Sequence, residues 1–94
     1  GNSVEIPTNK ILLKSYPNPF NPSTTITYSI QNPSKIEISI YDINGLLVER
    51  LYDGFKESGY HKIDWTPKVS SGQYFVQLKV NGKISQINKM LFIK

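Results

Sequence analysis

Alternation of apolar and polar residues is the feature that most restricts how this chain can fold. Successive side chains of a strand point to opposite faces, so a period of two puts every second residue on one face of a sheet. Three segments show this period: residues 24–30, 35–42 and 73–80. Their apolar members are mostly β-branched, and they are Ile26, Tyr28, Ile30, Ile36, Ile38, Ile40, Tyr74, Val76, Leu78 and Val80. No window of helical length has a 3.6-residue stripe, so the sequence predicts an all-β domain.

Two Asn-Gly pairs predict where the strands reverse. Asn44-Gly45 separates residues 36–43 from residues 46–51, and Asn81-Gly82 follows the segment that ends at Val80. Asn and Gly tolerate the positive φ angles of a type I′ turn, so each pair predicts an antiparallel hairpin.

The last strand, residues 83–93, has an interrupted pattern. Ile84 and Ile87 have opposite parities, and the later apolar residues Leu91 and Ile93 are in phase with Ile87. One set would face water in a regular strand. We therefore expect a β-bulge near Ser85 or Gln86 that turns these side chains inward together.

The remaining segments are assigned by their turn residues. Residues 10–16 could add an edge strand, and residues 17–22 contain three prolines, which predicts an extended polyproline-like crossing between sheets. Residues 53–59 are rich in turn formers, and residues 60–65 form a strand with Ile63 and Trp65 inward.

Six or seven short strands with a turn signal every 8 to 12 residues are typical of a two-layer fold. We therefore predict an immunoglobulin-like or fibronectin-like antiparallel β-sandwich of about seven strands, with a small barrel as the alternative. A single inward Trp65 suits the middle of a thin core. Ninety-four residues make one domain. We place it at residues 12–94, after a linker or cloning remnant at residues 1–11 that could hold the start of the edge strand.

Composition restricts the function more than it identifies it. The formal net charge is +4, with basic residues spread from Lys10 to Lys94 and no block of like charges, which argues against nucleic-acid binding. Cysteine is absent, so disulfides, thiolate nucleophiles and thiolate metal ligands are excluded. No apolar stretch approaches the ~20 residues of a membrane helix, and we expect no membrane insertion.

Few residues offer catalytic or metal chemistry. His61 and Asp64 are three apart in a predicted strand and therefore point to opposite faces, so His61 is interpreted as an exposed strand histidine. The acidic residues are scattered around turns and strands, and we expect neither catalysis nor a cofactor. A calcium ion shared by Asp42 and Asp53 stays open.

Aromatic residues leave a second binding hypothesis open. The predicted outward faces hold Tyr41, Tyr60 and Phe75, and exposed rings of this kind can stack on sugars. A carbohydrate-binding or spacer module of a secreted polysaccharide-degrading enzyme is therefore the alternative function.

Five segments in order give the chain its family likeness: residues 16–26 (YPNPFNPSTTI), 33–48, 59–65, 69–75 and 85–94. Together they resemble the type A C-terminal sorting domain of the type IX (Por) secretion system, and the likeness extends over residues 12–94. An immunoglobulin-like domain of flagellar hook-capping proteins is similar to parts of it. The short segment between Trp65 and Val69 departs from the longer loop of many relatives.

The resemblance implies a non-catalytic sorting signal at the carboxyl end of a larger cargo protein, which reaches the surface or exterior of a Gram-negative bacterium through the periplasm. Its implied partners are an outer-membrane translocon, a sortase-like peptidase and the upstream cargo domain. The residues that match the family motif are Pro17, Asn18, Pro19, Gly45, Gly72, Tyr74, Lys89, Met90 and Lys94. We hypothesise that residues 83–94 are recognised with their basic side chains outward.

Overall fold

Seven β-strands account for the regular structure of residues 12–94, which are the residues that the computed structural model describes. The strands are β1 (Leu13–Tyr16), β2 (Thr24–Ile30), β3 (Ser34–Tyr41), β4 (Leu47–Lys56), β5 (Gly59–Trp65), β6 (Gly72–Val80) and β7 (Lys83–Phe92). All pairings between them are antiparallel. Within this range no helix is long and apolar enough to cross a membrane. The all-β prediction is confirmed.

The strands form two sheets that face each other across one core. The smaller sheet has the order β1-β2-β5, and the larger sheet has the order β4-β3-β6-β7. In constant-type immunoglobulin domains the fourth strand belongs to the sheet of strands one, two and five. Here β4 pairs with β3 instead, so the sandwich departs from that pattern.

The core is built from the side chains that the alternating pattern predicts to point inward. Nine of the ten predicted residues are buried, and Val80 packs half-buried against them. Trp65 is 1% exposed, and its ring lies 5.7 Å from that of Phe20 and 5.6 Å from that of Tyr74. Its indole N–H donates to Glu49 Oε1 at 3.2 Å, which satisfies the polar atom that burial would otherwise leave unpaired.

The connection between β5 and β6 is held by Tyr74. Its hydroxyl donates to the backbone carbonyl of Ser70 at 2.6 Å, four residues earlier. This is the arrangement of the tyrosine corner of immunoglobulin-like sandwiches. Tyr74 therefore contributes both a core ring and the hydrogen bond that fixes the start of β6.

The two Asn-Gly turns differ. Asn81 and Gly82 both have positive φ angles, 52° and 84°, between paired Val80 and Lys83, so the predicted type I′ turn is confirmed there. At the first pair only Gly45 has a positive φ, of 80°, and its N–H donates to the Asp42 carbonyl at 3.0 Å. The type I′ prediction is wrong at this site, which forms a type I turn followed by a left-handed glycine.

The Asp42 side chain explains the difference. Its Oδ1 atom accepts hydrogen bonds from the backbone N–H groups of Asn44 and Leu46, at 2.8 and 3.0 Å. An aspartate that bonds to the backbone two residues ahead stabilises a three-residue loop, and Asn81-Gly82 has no such residue before it.

The bulge in β7 is confirmed, but its consequence is the reverse of the prediction. Leu78 pairs with Gln86 and Lys79 with Ile84, so Ser85 is the extra residue. The bulge does bring Ile84 and Ile87 to one face, but that face is the outer one. The predicted inward residues of β7 are all exposed, and these are Ile84, Ile87, Leu91 and Ile93.

Met90 and Phe92 take the inward positions instead, at 0% and 3% exposure. Phe92 stacks on Phe20, with ring centroids 5.2 Å apart and planes 19° apart. Contact with a ring from a distant part of the chain therefore decides which face of the last strand is buried.

Two other segments also differ from the predictions. The prolines of residues 17–22 all follow cis peptide bonds, so this segment is not polyproline-like, and it joins β1 to β2 within one sheet. Residues 53–56 continue β4, because they pair with β3 as far as Lys56 opposite Ser34. Of the predicted edge strand, β1 supplies Leu13–Tyr16, and residues 10 and 11 lie outside the described part.

We expect alkaline pH to destabilise the fold partly through Tyr28. Burial, and to a lesser degree the nearby Tyr52, raises the pKa of Tyr28 from 10.0 to about 12. The folded state therefore favours the neutral phenol, so this contribution to stability is complete below pH 10 and is lost as pH rises through about 12. Denaturant unfolding followed by Trp65 fluorescence should show a flatter pH dependence in Tyr28→Phe than in the parent. Equal slopes between pH 10 and 12 would refute this assignment.

Candidate functional site

The two ends of the sequence motif meet at the free edge of β7. The Asn18 side chain donates from Nδ2 to the Lys89 carbonyl at 2.9 Å and accepts at Oδ1 from the Leu91 N–H at 3.0 Å. The side-chain amide of asparagine has an NH2 donor and a carbonyl acceptor, and here it presents both to the β7 backbone, as the N–H and C=O of one strand residue do. Asn18 therefore pairs with the edge of β7 as a neighbouring strand would.

Phe20 continues this pairing through its backbone. Its N–H donates to the Leu91 carbonyl, and its carbonyl accepts from the Ile93 N–H, both at 3.0 Å. The Phe20 side chain is 2% exposed and enters the core beside Trp65 and Phe92. We call residues 18–20 the clamp, because they hold the edge of β7 from Lys89 to Ile93.

Local contacts position the clamp. Thr24 Oγ1 donates to the Pro17 carbonyl at 2.8 Å, and Asn18 Nδ2 also lies 3.4 Å from Ser15 Oγ. From the inner face of β7, the Asn88 side-chain amide donates to the Leu13 carbonyl of β1. These bonds tie β7 to the smaller sheet, and they leave less of its backbone open to a partner strand.

The motif residues separate into exposed and buried sets. Met90 and Tyr74 are core residues, at 0% and 7% exposure, and so act through packing in the folded domain. Gly72 lies opposite Phe92 with a φ of 155°, a conformation that a side chain disfavours. The motif residues with exposed side chains or backbone are Pro17, Asn18, Pro19, Gly45, Lys89 and Lys94.

A shallow apolar hollow lies on the outer face of the larger sheet. Its volume is about 330 Å³, and its lining includes Tyr41, Ile43, Phe75 and Ile87 together with the motif residue Gly45. Tyr41 and Phe75 are paired across β3 and β6, and both are half-buried. Lys89 is the β7 partner of Phe75 and is exposed. The motif residues Gly45 and Lys89 therefore border one surface.

His61 and Asp64, the pair considered for catalysis in the sequence, lie apart in the structure. His61 is half-buried and not exposed as expected, because it shares the inner face of β5 with Ile63 and Trp65 beside the Tyr28 ring. Its Nε2 atom lies 2.7 Å from the Glu57 carbonyl, while Asp64 accepts from Thr25 Oγ1 at 2.7 Å. His61 and Asp64 therefore point to opposite faces, as predicted.

The structure does not bring Asp42 and Asp53 together as calcium ligands. Asp53 pairs with Glu37, which lies five residues before Asp42 along β3, a distance of about 17 Å in an extended strand. Within residues 12–94, no three His, Asp or Glu residues are grouped so that they could hold a metal. The Asp42 carboxylate is instead used by its own turn.

Comparison with protein families gives one match. The model of the secretion system C-terminal sorting domain matches residues 14–94, which includes the clamp, every motif residue and all of β2 to β7. The chain belongs to this family of type IX sorting domains. Comparison with curated proteins and with solved structures found no match.

Family membership gives the sorting domain its general role. Domains of this family act as C-terminal signals for type IX secretion and are non-catalytic in general. Membership of the family implies a secreted or cell-surface protein and an interaction with the secretion machinery and a cargo domain.

Sequence reasoning missed Phe20 and the outer face of β7. Phe20 is an apolar residue between prolines and outside every alternating segment, so periodicity gave it no partner. The available signal was its residue type alone, because Phe is among the residues most often buried.

Removing the Asn18 amide should open the edge of β7 locally. In Asn18→Ala both bonds to β7 are lost, and because the site is exposed to water we expect a cost of only about 0.5–1.5 kcal/mol. Amide hydrogen exchange measured by NMR should be faster at Leu91 than in the parent. Asn18→Asp is the matched variant, because it keeps the acceptor for Leu91 and loses the donor for Lys89. Unchanged exchange at Leu91 in Asn18→Ala would show that the bond between Asn18 and Leu91 does not form in solution.

Proposed function

We propose that this sorting domain directs a cargo protein, fused at its amino-terminal side, through an outer-membrane type IX translocon to the cell surface or exterior. The translocon recognises the folded domain, and the terminal strand supplies part of the recognised surface. A sortase-like peptidase then acts on the exported protein. The cargo reaches the translocon from the periplasm after crossing the inner membrane.

The observation that supports this proposal best is the joining of the two motif segments. Asn18 and Lys89 lie 71 residues apart in sequence, yet the amide of one is bonded to the backbone of the other. Because the two parts of the motif form one surface, a single partner can bind both of them together. The exposed positions of Lys83, Lys89 and Lys94 agree with the hypothesis that the strand is recognised with its basic side chains outward.

Backbone pairing does not serve this recognition between Lys89 and Ile93. That edge already holds the Asn18 amide and the Phe20 peptide group. A partner that adds a strand would have to displace both, whereas the outer side chains are accessible without any rearrangement. We therefore assign recognition to side chains on the outer surface.

A reporter fusion tests the proposed function. A monomeric fluorescent protein with an amino-terminal export signal and this domain at its carboxyl end would be expressed in a bacterium with a type IX system. We expect the reporter at the surface or in the medium, and in the periplasm when the domain is omitted or when the translocon gene is deleted. A fusion that stays in the periplasm of the competent strain would contradict the proposal.

Deleting the last four residues is a less informative test. That deletion removes Phe92, which is 3% exposed, together with the Ile93 N–H that bonds to Phe20. Loss of secretion would then report unfolding as much as loss of a recognised surface. Single substitutions of exposed residues separate the two effects.

The carbohydrate-binding alternative is not supported by the positions of its rings. Tyr60 lies on β5 in the smaller sheet, whereas Tyr41 and Phe75 lie on the larger sheet and are half-buried. The three rings therefore do not form one platform. A pull-down on insoluble polysaccharides, with the domain expected in the unbound fraction, distinguishes the alternatives.

A further inference from the structure

The exposed apolar side chains are unevenly divided between the two outer faces. On the smaller sheet the large exposed residues are Tyr16 and Tyr60, whose hydroxyls suit contact with water. The outer face of the larger sheet has aliphatic and phenyl side chains instead, and these are Leu47, Phe55, Ile84, Ile87 and Leu91. An apolar surface confined to one side of a small domain is typical of an interaction site.

The excess of positive over negative charge arises in the part of the chain that forms β6 and β7. Asp64 is the last acidic residue, and every charged side chain after it is a lysine: Lys68, Lys79, Lys83, Lys89 and Lys94. The basic excess therefore comes from β6, β7 and their flanking segments, although no two of these lysines are adjacent. Neither β6 nor β7 contains a carboxylate that could neutralise Lys89.

Two carboxylates on the same sheet, Glu37 and Asp42, already have partners. Glu37 on β3 accepts from Ser39 Oγ at 3.3 Å and lies 3.7 Å from the Arg50 guanidinium. Asp42 also lines the hollow, and its carboxylate is turned to its own loop, where it accepts two backbone N–H groups. The hollow formed by Tyr41, Phe75 and Ile87 thus has an exposed lysine on one side, and within residues 12–94 no carboxylate lies within ion-pair distance of that lysine.

We infer that this surface, made by Tyr41, Ile43, Phe75, Ile87 and Lys89 and called here the docking face, binds a protein partner that presents an apolar side chain next to Asp or Glu residues. The apolar side chain enters the hollow, and the carboxylate pairs with Lys89. The inference rests on the proposed function, because it assigns the recognised surface to the outer face of the larger sheet and the partner to the secretion machinery.

Charge disfavours a second copy of this chain as the occupant. In a symmetric dimer the same patch meets itself, and the docking face would bring the two lysines at position 89 towards each other. Like charges placed across an interface oppose association. An anionic membrane is disfavoured by a different argument, since polybasic lipid sites have clusters of 4 to 8 basic residues, and the lysines here are dispersed along two strands.

Paired substitutions in the reporter fusion test the docking face. Ile87 is 51% exposed, so Ile87→Ser and Lys89→Glu should leave the fold intact. We expect each to lower the secreted fraction at least about fivefold, because a lost apolar contact or a like-charge contact acts directly on binding. The Lys89→Arg variant should be secreted within about twofold of the parent, because arginine keeps the positive charge.

Matched controls are available on the opposite face. Lys62→Glu changes the charge by the same amount, and Tyr60→Ser removes an apolar side chain that is 71% exposed. Both should be secreted like the parent, and all variants should melt at temperatures close to the parent's. Normal secretion of both Ile87→Ser and Lys89→Glu would overturn the inference while leaving the proposed function intact, whereas failure of the parent fusion would refute the proposed function itself.

Photo-crosslinking identifies the occupant. A benzophenone amino acid at position 75 should give an adduct in the competent strain that disappears with Lys89→Glu, and the same group at position 60 should give none. An adduct of twice the mass of the fusion would indicate a second copy and contradict the inference. Binding of the purified domain to phosphatidylserine vesicles at physiological ionic strength, abolished by Lys89→Glu, would contradict it in favour of a membrane.

Discussion

Replacing Phe20 with alanine should lower the free energy of unfolding by about 3–5 kcal/mol, the range for large aromatic truncations in a core. The ring is 2% exposed, stacks on Phe92 and contacts Trp65, so its loss leaves a cavity between the sheets. Domains of this size are stable by only about 5–15 kcal/mol. We therefore expect Phe20→Ala to be partly unfolded at 37 °C and to be lost from the secreted fraction of a fusion.

Denaturant unfolding followed by circular dichroism measures this effect. Tyr16→Ala is the matched control, because Tyr16 is an aromatic residue at the start of the same segment and is 81% exposed. The control should lie within about 0.5 kcal/mol of the parent. A loss below about 1 kcal/mol in Phe20→Ala, far under the usual cost of a buried ring, would show that this side chain does not belong to the core.

Met90→Ala should be the second most damaging change, with a loss of about 2–5 kcal/mol. Met90 is completely buried on the inner face of β7, opposite Tyr74. Met90→Leu conserves the volume and should cost less than about 1.5 kcal/mol. Calorimetric melting of the parent and both variants checks this order.

The same pair of variants decides how Met90 contributes to the sorting motif. If Met90 acts through packing, the stable Met90→Leu variant should be secreted as a fusion like the parent. The Met90→Ala fusion should be secreted poorly, because that variant is less stable. A stable Met90→Leu fusion that is not secreted would show instead that the translocon reads the methionine itself.

The inward faces of β2, β3 and β6 could be predicted because their period of two is uninterrupted. Ile36, Ile38 and Ile40 alternate with polar neighbours, and a central strand of a sandwich has no other way to bury them. Trp65 was assigned correctly for the same reason. These elements depend on local pattern, which one sequence contains.

The faces of β7 could not be predicted from the same pattern. Its apolar residues have both parities, so alternation allows either set inside. The choice of Phe92 over Leu91 depends on the Phe20 ring, which arrives from a segment more than seventy residues earlier. The type of the turn at Gly45 was predicted wrongly for a local reason. The Asp42 side chain, and not the Asn-Gly pair, determines the geometry of that turn.

For the candidate site, resemblance supplied the motif residues but not their arrangement. Nothing in the sequence indicates that Asn18 bonds to the backbone at Lys89 and Leu91, because that contact depends on how two sheets close. The docking face could not be predicted because the sequence pattern assigned Ile87 to the core. The strand register shows that Ile87 is exposed on the same outer face as Phe75.

The bonds between residue 18 and residues 89 and 91 also determine when this domain can acquire its shape. The clamp is synthesised before its partners in β7, so the edge bonds and the Phe20–Phe92 stack cannot all form before residue 93 has left the exit tunnel of the ribosome. Folds dominated by such distant pairings assemble slowly, in milliseconds to seconds. A polypeptide terminated before residue 89 therefore never joins the two parts of the motif.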